Sequence, residues 1–249
     1  MTRWAFLGSG EFQPWHHDVD TALIADRPGR VLVVAAASAP EGEQTYQGWR
    51  EQGLAHYRRL GIDAAAPDLR HRQDAFADDV VAHLDDAALV FFSGGNPAYL
   101  ASVLDGSPFW NSLVERLTSR RTAFAGCSAG VACLSDPTFD SAADDTASVW
   151  APGLGWFPGT LFAPHWDAID DWRPNARQFI VDSVHRDGRL VALDESTAMV
   201  GDGEQWRVHG AGSVHTFTPV DGTWTHHAGG TAFTHHLPHG PAPTRPNPR

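Results

Sequence analysis

The sequence predicts an α/β protein with a mostly parallel sheet and helices on both faces. Residues 3–8, 30–38 and 87–95 are nearly continuous apolar runs, as expected of strands that are buried on both faces. Helical patterns separate these runs along the chain, and such alternation is typical of parallel sheets. The 249 residues are 42% hydrophobic and 19% charged, which is enough for one such domain with a substantial core.

The elements follow one another with recognisable boundaries. Strands are predicted over residues 3–8, 30–38, 87–95 and 122–126. Helices are predicted over residues 41–61, 74–86 and 108–121. The first of these helices contains no proline and ends at Gly61, a common stop signal. The last has a basic carboxyl end, which suits the helix dipole.

The pattern changes after about residue 190. Short strand-like runs separated by Gly and Asp turns predict antiparallel hairpins added to the edge of the sheet. The segment from Leu237 is rich in proline and predicts a loose tail. We therefore expect one domain over residues 1–236 and a tail over residues 237–249.

Charge and composition exclude several functions. The net charge is −12 and all 18 cationic side chains are Arg, so nucleic acid and anionic membranes are poor partners. The absence of Lys excludes Schiff-base catalysis and a P-loop lysine. The apolar run at the N-terminus is too short for a signal peptide or a membrane span. These features predict a cytoplasmic enzyme, and they leave a homodimer open.

The segment Gly126-Cys127-Ser128-Ala129-Gly130 has the G-x-S-x-G spacing of a nucleophile elbow. Glycines two residues before and after Ser128 allow the tight strand-to-helix turn that projects the central side chain. This spacing favours Ser128 over Cys127 as the nucleophile. The N–H of Ala129 would begin the following helix and face the same point as the hydroxyl, as one donor of an oxyanion hole. The alternative interpretation is an ordinary Gly/Ser turn.

Two further segments support a catalytic site. Gly94 and Gly95 follow a buried strand, and either N–H is a candidate second oxyanion donor. Asn96 and Pro97 then begin a helix, because Asn is a good cap and Pro suits the first turn. His165 follows another apolar run, 37 residues after Ser128, and an imidazole is the usual activator of a serine hydroxyl.

Four segments together resemble peptidase family S51, which contains aspartyl dipeptidase (peptidase E) and cyanophycinase. They are FFSGGNPAYL, GCSAG, GLGWFPGTLFAPHW and ALDESTAMV, and they span about residues 88–201. The resemblance implies a flavodoxin-like fold of the class I glutamine amidotransferase type. It implies Ser128 as nucleophile, His165 as general base and no cofactor.

The acid that completes a triad is less clear from the sequence. The resemblance implies an Asp or Glu in the loop between Ser128 and His165, where Asp140, Asp144 and Asp145 are candidates. We choose Asp144, and Asp194 or Glu195 is a more remote alternative. Each of the loop residues is equally well explained as a solvated charge.

Substrate-binding residues are predicted from position and charge. Asn96 lies at the carboxyl edge of the sheet, and Arg173 and Arg177 follow His165, where a guanidinium suits a substrate carboxylate. The arginine spacing departs from the cyanophycinase-like pattern. The histidine pairs at 16–17, 226–227 and 235–236 lack the pattern of a metal site, so we predict no metal.

The sequence thus predicts a serine peptidase that cleaves a small peptide or amide. Asp-containing dipeptides are the substrates that the resemblance implies. An α/β-hydrolase-like esterase and a catalytically silent binding domain on the same fold are the alternatives.

Overall fold

The computed structural model describes residues 3–145 and 148–240. The strands are β1 (Trp4–Leu7), β2 (Arg30–Val34), β3 (Ala64–Ala65), β4 (Ala87–Phe92), β5 (Ala123–Cys127), β6 (Thr138–Phe139), β7 (Trp150–Ala151), β8 (Thr160–Ala163), β9 (Arg189–Leu193), β10 (Thr197–Gly201), β11 (Gln205–Gly210), β12 (Ser213–Thr218), β13 (Thr223–Ala228) and β14 (Ala232–Thr234). The α-helices are α1 (His17–Ile24), α2 (Glu43–Arg59), α3 (Asp78–Ala82), α4 (Pro97–Leu104), α5 (Pro108–Thr118), α6 (Ala129–Ala132), α7 (Ile169–Trp172) and α8 (Ala176–Ser183).

The central sheet has eight strands in the order β14-β11-β10-β1-β5-β4-β2-β3. Strands β1, β5, β4, β2 and β3 pair in parallel, and β10, β11 and β14 continue the sheet in antiparallel fashion. The predicted α/β class is therefore confirmed. The carboxyl ends of the parallel strands meet at one edge, where ligands bind in open sheets of this kind.

Alternate residues of the central strands pack on opposite faces. Trp4 and Phe6 of β1 join a core with helices α3 to α5, whereas Ala5 and Leu7 join a core with α1 and α2. This alternation follows from the two-residue period of a strand. Because both faces are covered by apolar side chains, the central strands read as continuous apolar runs in the sequence.

A second sheet of four strands, in the order β13-β12-β9-β8, packs against the first. Val191, Leu193 and Val214 of this sheet join the same core as Trp4 and Phe6. The prediction placed the C-terminal hairpins at the edge of one sheet. The structure divides them, because β10, β11 and β14 extend the first sheet while β12 and β13 pair with β9 in the second.

Several element boundaries also differ from those predicted. The helix predicted over residues 41–61 begins at Glu43 after a 3₁₀ segment, and the one predicted over 74–86 is interrupted by extended backbone at Ala77. Leu237, the first residue of the predicted tail, is fully buried, and its N–H donates to the Gly203 carbonyl at 3.0 Å. Residues 237–240 are therefore packed on the domain, and the rest of the predicted tail lies outside the described residues.

Within the described residues, none of the helices combines the length and the apolar character that a bilayer crossing requires.

Candidate active site

The elbow at Ser128 is a strained turn between β5 and α6. Ser128 has a φ of 52° and a ψ of −110°, a conformation that costs about 1–3 kcal/mol for a residue with a side chain. The flanking glycines permit it. A Cβ on Gly126 would lie 2.4 Å from the Gly130 carbonyl oxygen, and one on Gly130 would lie 2.3 Å from that of Phe92. The G-x-S-x-G spacing therefore reflects close backbone contacts that exclude larger residues.

His165 lies directly opposite the elbow. Its Nε2 atom is 2.7 Å from the Ser128 Oγ atom, in a partly buried hydrogen bond. His165 follows β8 and has a φ of 57°, and the N–H of the next residue, Trp166, donates to the Leu193 carbonyl. The turn after β8 is thus fixed to β9, which directs the imidazole towards the first sheet.

The other ring nitrogen of His165 is bonded to Glu195 rather than to Asp144. The distance from His165 Nδ1 to Glu195 Oε1 is 2.7 Å. Asp144 was chosen for this position, but its side chain is exposed, and within residues 3–145 and 148–240 no hydrogen bond joins it to His165. Glu195 lies in the loop between β9 and β10. Because β10 pairs with β1, this loop is held at the carboxyl edge beside Ser128.

The other acidic candidates have different partners. Asp140 accepts hydrogen bonds from Asn96 Nδ2 and the Ala142 N–H, and Asp145 accepts one from the Ser148 N–H. Asp194 is buried and bonds the Ser213 N–H and the His215 ring. None of these five hydrogen bonds involves His165.

Three N–H groups were predicted as oxyanion donors, and in the described part of the chain one of them already donates a hydrogen bond while two do not. The Gly94 N–H donates to the Glu11 carboxylate at 2.9 Å, so this donor is already used. Among the residues that the structure describes, no acceptor occupies the N–H of Gly95 or of Ala129. Gly95 follows β4, and Ala129 begins α6 directly after Ser128, so both groups lie on segments next to the hydroxyl.

Glu11 belongs to the segment 8–11, which follows the first strand and was expected to line the cleft; it does so, and its hydrogen bonds were not predicted. Its side chain is 6% exposed. Besides the Gly94 N–H, its carboxylate accepts a hydrogen bond from the Cys127 thiol at 2.9 Å. Burial, together with the Glu11 charge, raises the pKa of Cys127 well above its usual range. The signal was the position of Glu11 directly after the first strand, at the same sheet edge as the elbow.

Two cavities open on either side of Ser128 and His165. The first, which we call the acidic cleft, has a volume of about 850 Å³ and includes Glu11, Glu41 and Glu195 in its lining. The second, which we call the apolar pocket, has a volume of about 530 Å³. Its carbon-rich walls come from Pro97, Ala132, Phe139, Val149, Ala163, Ile169, Ala176, Phe179 and Ile180.

The residues predicted to bind substrate differ in their access to these cavities. Asn96 caps α4 by accepting the Tyr99 N–H. Arg173 lines the apolar pocket and donates to the Ala143 carbonyl at 2.8 Å. Arg177 pairs with Asp170 at 2.7 Å and is absent from the linings of both cavities in the described part of the chain. Trp172 lines both cavities and is 62% exposed, and its ring centroid lies 4.7 Å from that of His165.

A buried cluster of His16, Asp20 and His56 has the donor types of a metal site. Its geometry fits a hydrogen-bonded network instead. The Gln13 N–H donates to His16 Nε2, so the proton of this ring is on Nδ1, which faces Asp20 at 2.9 Å. Burial alone would raise the pKa of Asp20, but the two histidine rings next to its carboxylate outweigh burial and lower the pKa.

Comparison with known proteins identifies the family to which the chain is similar. The family model of peptidase family S51 matches residues 6–209. The cyanophycinase of Synechococcus elongatus is 29% identical over 163 residues, which are 63% of this chain and 50% of the relative. The cyanophycinase of a Nostoc species is 28% identical over 168 residues, or 64% and 54% of the two chains. The chain thus spans about half the length of the curated relatives it matches.

Two solved structures resemble the fold. The crystal structure of a peptidase from an acI-B1 actinobacterium superposes with a TM-score of 0.83 at 27% identity, covering 94% of this chain and 98% of that one. A putative peptidase E protein from Listeria monocytogenes superposes with a TM-score of 0.59 at 16% identity, over 84% and 98% of the chains. The second likeness concerns the fold alone.

Proposed function

Because this chain belongs to peptidase family S51, we propose that it is a serine peptidase that hydrolyses short peptides with Ser128, His165 and Glu195 as its triad. One observation carries the proposal. The hydroxyl, imidazole and carboxylate form two consecutive hydrogen bonds, each 2.7 Å long, at the carboxyl edge of the sheet. A serine hydroxyl becomes nucleophilic when an imidazole accepts its proton, and a carboxylate stabilises the imidazolium that forms.

In the proposed reaction, Ser128 Oγ attacks the carbonyl carbon while His165 Nε2 takes the hydroxyl proton. The carbonyl oxygen becomes an oxyanion, for which the free N–H groups of Gly95 and Ala129 are the proposed donors. The bond from carbon to nitrogen then breaks, and His165 returns the proton to the leaving amine. A water molecule, deprotonated by the same imidazole, releases the acyl group from Ser128.

For the substrate we propose a class of short peptides rather than one compound. The resemblance implies dipeptides with an Asp next to the scissile bond, for which Arg173 was the predicted partner of the carboxylate, whereas the Arg173 guanidinium in the apolar pocket already donates to the Ala143 carbonyl. A panel of dipeptides that contains Asp-X, β-Asp-X and neutral members tests this class.

Three variants test the proposed triad. Ser128→Ala is expected to lower kcat by at least about 10⁴-fold, and Glu195→Gln by about 10²–10⁴-fold, because the imidazolium loses its counter-charge. Asp144→Asn is the matched control, since Asp144 is exposed and not bonded to His165, and its kcat should equal that of the wild type. A Glu195→Gln enzyme with full activity beside an impaired Asp144→Asn enzyme would exclude Glu195 as the acid.

A further inference from the structure

The apolar pocket adjoins the proposed nucleophile directly, because Ser128 and His165 form part of its lining. A side chain on either side of a bond held at Ser128 would therefore enter this pocket or the acidic cleft. The chemistry of the two cavities therefore determines which side chains the substrate can carry next to the scissile bond. This inference rests on the function proposed above.

The walls of the apolar pocket belong to the core around the second sheet. Ile180 and Ala176 come from α8, Ala163 ends β8, and Val149 precedes β7, and all four are at most 6% exposed. Phe139 and Phe179 both pack on Trp150, with ring centroids 4.6 Å and 5.8 Å from its own. The pocket is therefore a fixed, carbon-lined space, and a volume of about 530 Å³ is within the usual range of ligand pockets.

The charges in this pocket do not favour a substrate carboxylate. Arg173 is its one arginine among the described residues, and its guanidinium is already bonded to the Ala143 carbonyl. Two carboxylates, Asp140 and Glu41, also line the pocket, so its formal side-chain charge is negative even with Arg173 included. A substrate carboxylate entering the pocket would be repelled by these two groups and would lose its hydration.

We propose that the apolar pocket selects a large apolar side chain, such as Leu, Met or Phe, on the substrate residue next to the scissile bond. Water in a carbon-lined pocket makes few hydrogen bonds, so a hydrocarbon side chain gains by displacing it. The gain is about fourfold in kcat/KM for each buried methylene. Replacing Ala by Leu, which adds three carbon atoms, should therefore raise kcat/KM by up to about 60-fold, and replacement by Phe should raise it at least as much.

The test is a panel of dipeptides of the forms X-Ala and Ala-X, with X as Leu, Phe, Ala or Asp. At one of the two positions, kcat/KM should rise from Ala to Leu or Phe and fall for Asp. Ala176→Phe narrows the pocket from α8 and should reduce the ratio of Phe to Ala substrates by at least about tenfold. Ile169→Phe, which narrows it from α7, is the second variant should the first fail to fold. Gln178→Ala changes an exposed residue of α8, and it should leave this ratio unchanged.

The outcomes separate this inference from the proposed function. Cleavage that is lost in Ser128→Ala, but that shows no apolar preference at either position, overturns the inference and leaves the function standing. A preference for Asp that disappears in Arg173→Gln also overturns the inference and leaves the proposed function standing. Labelling of Ser128 by a fluorophosphonate without cleavage of any panel member also overturns the inference. If Ser128 is neither labelled nor required, the proposed function falls and the inference with it.

Discussion

Replacement of Glu11 by Ala is expected to impair both stability and turnover. The carboxylate is 6% exposed and joins two segments on either side of the nucleophile, through Gly94 after β4 and Cys127 at the end of β5. A buried hydrogen bond to a charged acceptor contributes about 1.5–3 kcal/mol, and removing the acceptor leaves the Gly94 N–H without a partner. We therefore expect a loss of about 3 kcal/mol in the free energy of unfolding.

That loss corresponds to a fall in Tm of about 6–12 °C for a domain of this size. Turnover should fall as well, because Gly94 precedes Gly95, whose N–H is a proposed oxyanion donor. Complete loss of one such donor lowers kcat by about 10²–10³-fold. A donor that is only displaced, as expected in Glu11→Ala, should lower kcat by no more than this. KM should change little, since the oxyanion forms only in the transition state.

The assay measures Tm by calorimetry, and kcat and KM on the best dipeptide of the panel. Glu11→Gln is the matched variant, because its amide oxygen can still accept the Gly94 N–H, and it should retain more of both Tm and kcat than Glu11→Ala. The reasoning is refuted if Glu11→Ala has the Tm of the wild type and a kcat within about twofold of it.

Two further predictions concern titration and reactivity. Burial lowers the pKa of His235 to about 4, so His235 takes up a proton at a higher pH in the unfolded chain than in the folded chain. The free energy of unfolding should therefore fall by up to about 3 kcal/mol as the pH drops from about 6.5 to 4. His235→Gln removes this penalty, so urea unfolding at pH 7 and pH 4.5 should show the variant gaining relative to the wild type at the lower pH; an equal difference at both values would contradict it. Burial also raises the pKa of the Cys127 and Cys133 thiols, so the native protein should resist iodoacetamide at pH 8 while both thiols react in denaturant; alkylation of the native protein at the denatured rate would show that the thiols are accessible.

The sequence predicted the parts of the fold and site that depend on local pattern. The apolar runs of β1, β2 and β4 are readable because both of their faces are buried. The elbow can be recognised in the sequence because close backbone contacts require glycine at positions 126 and 130, two residues on either side of Ser128.

The position of Glu195 could not be read in this way. It depends on the pairing of β10 with β1, which joins segments almost two hundred residues apart and leaves no local periodicity. The loop after the elbow was chosen because the family resemblance implied an acid between Ser128 and His165, although sheet pairing decides which loop lies beside the imidazole. The hydrogen bond from the Gly94 N–H to Glu11 could not be predicted for the same reason, because β5 lies between β1 and β4 in the sheet.

The division of the site between two sheets has a consequence for synthesis of the protein. Ser128 ends a strand of the eight-stranded sheet, His165 follows a strand of the four-stranded sheet, and Glu195 lies in the segment that passes from one to the other. A growing chain on the ribosome therefore holds the proposed nucleophile before the proposed acid has been made. The hydrogen bonds of the proposed triad require insertion of Thr197–Gly201 beside Trp4–Leu7, so under the proposed function we expect a nascent chain to stay inert towards neighbouring peptides until its C-terminal part has folded back onto its beginning.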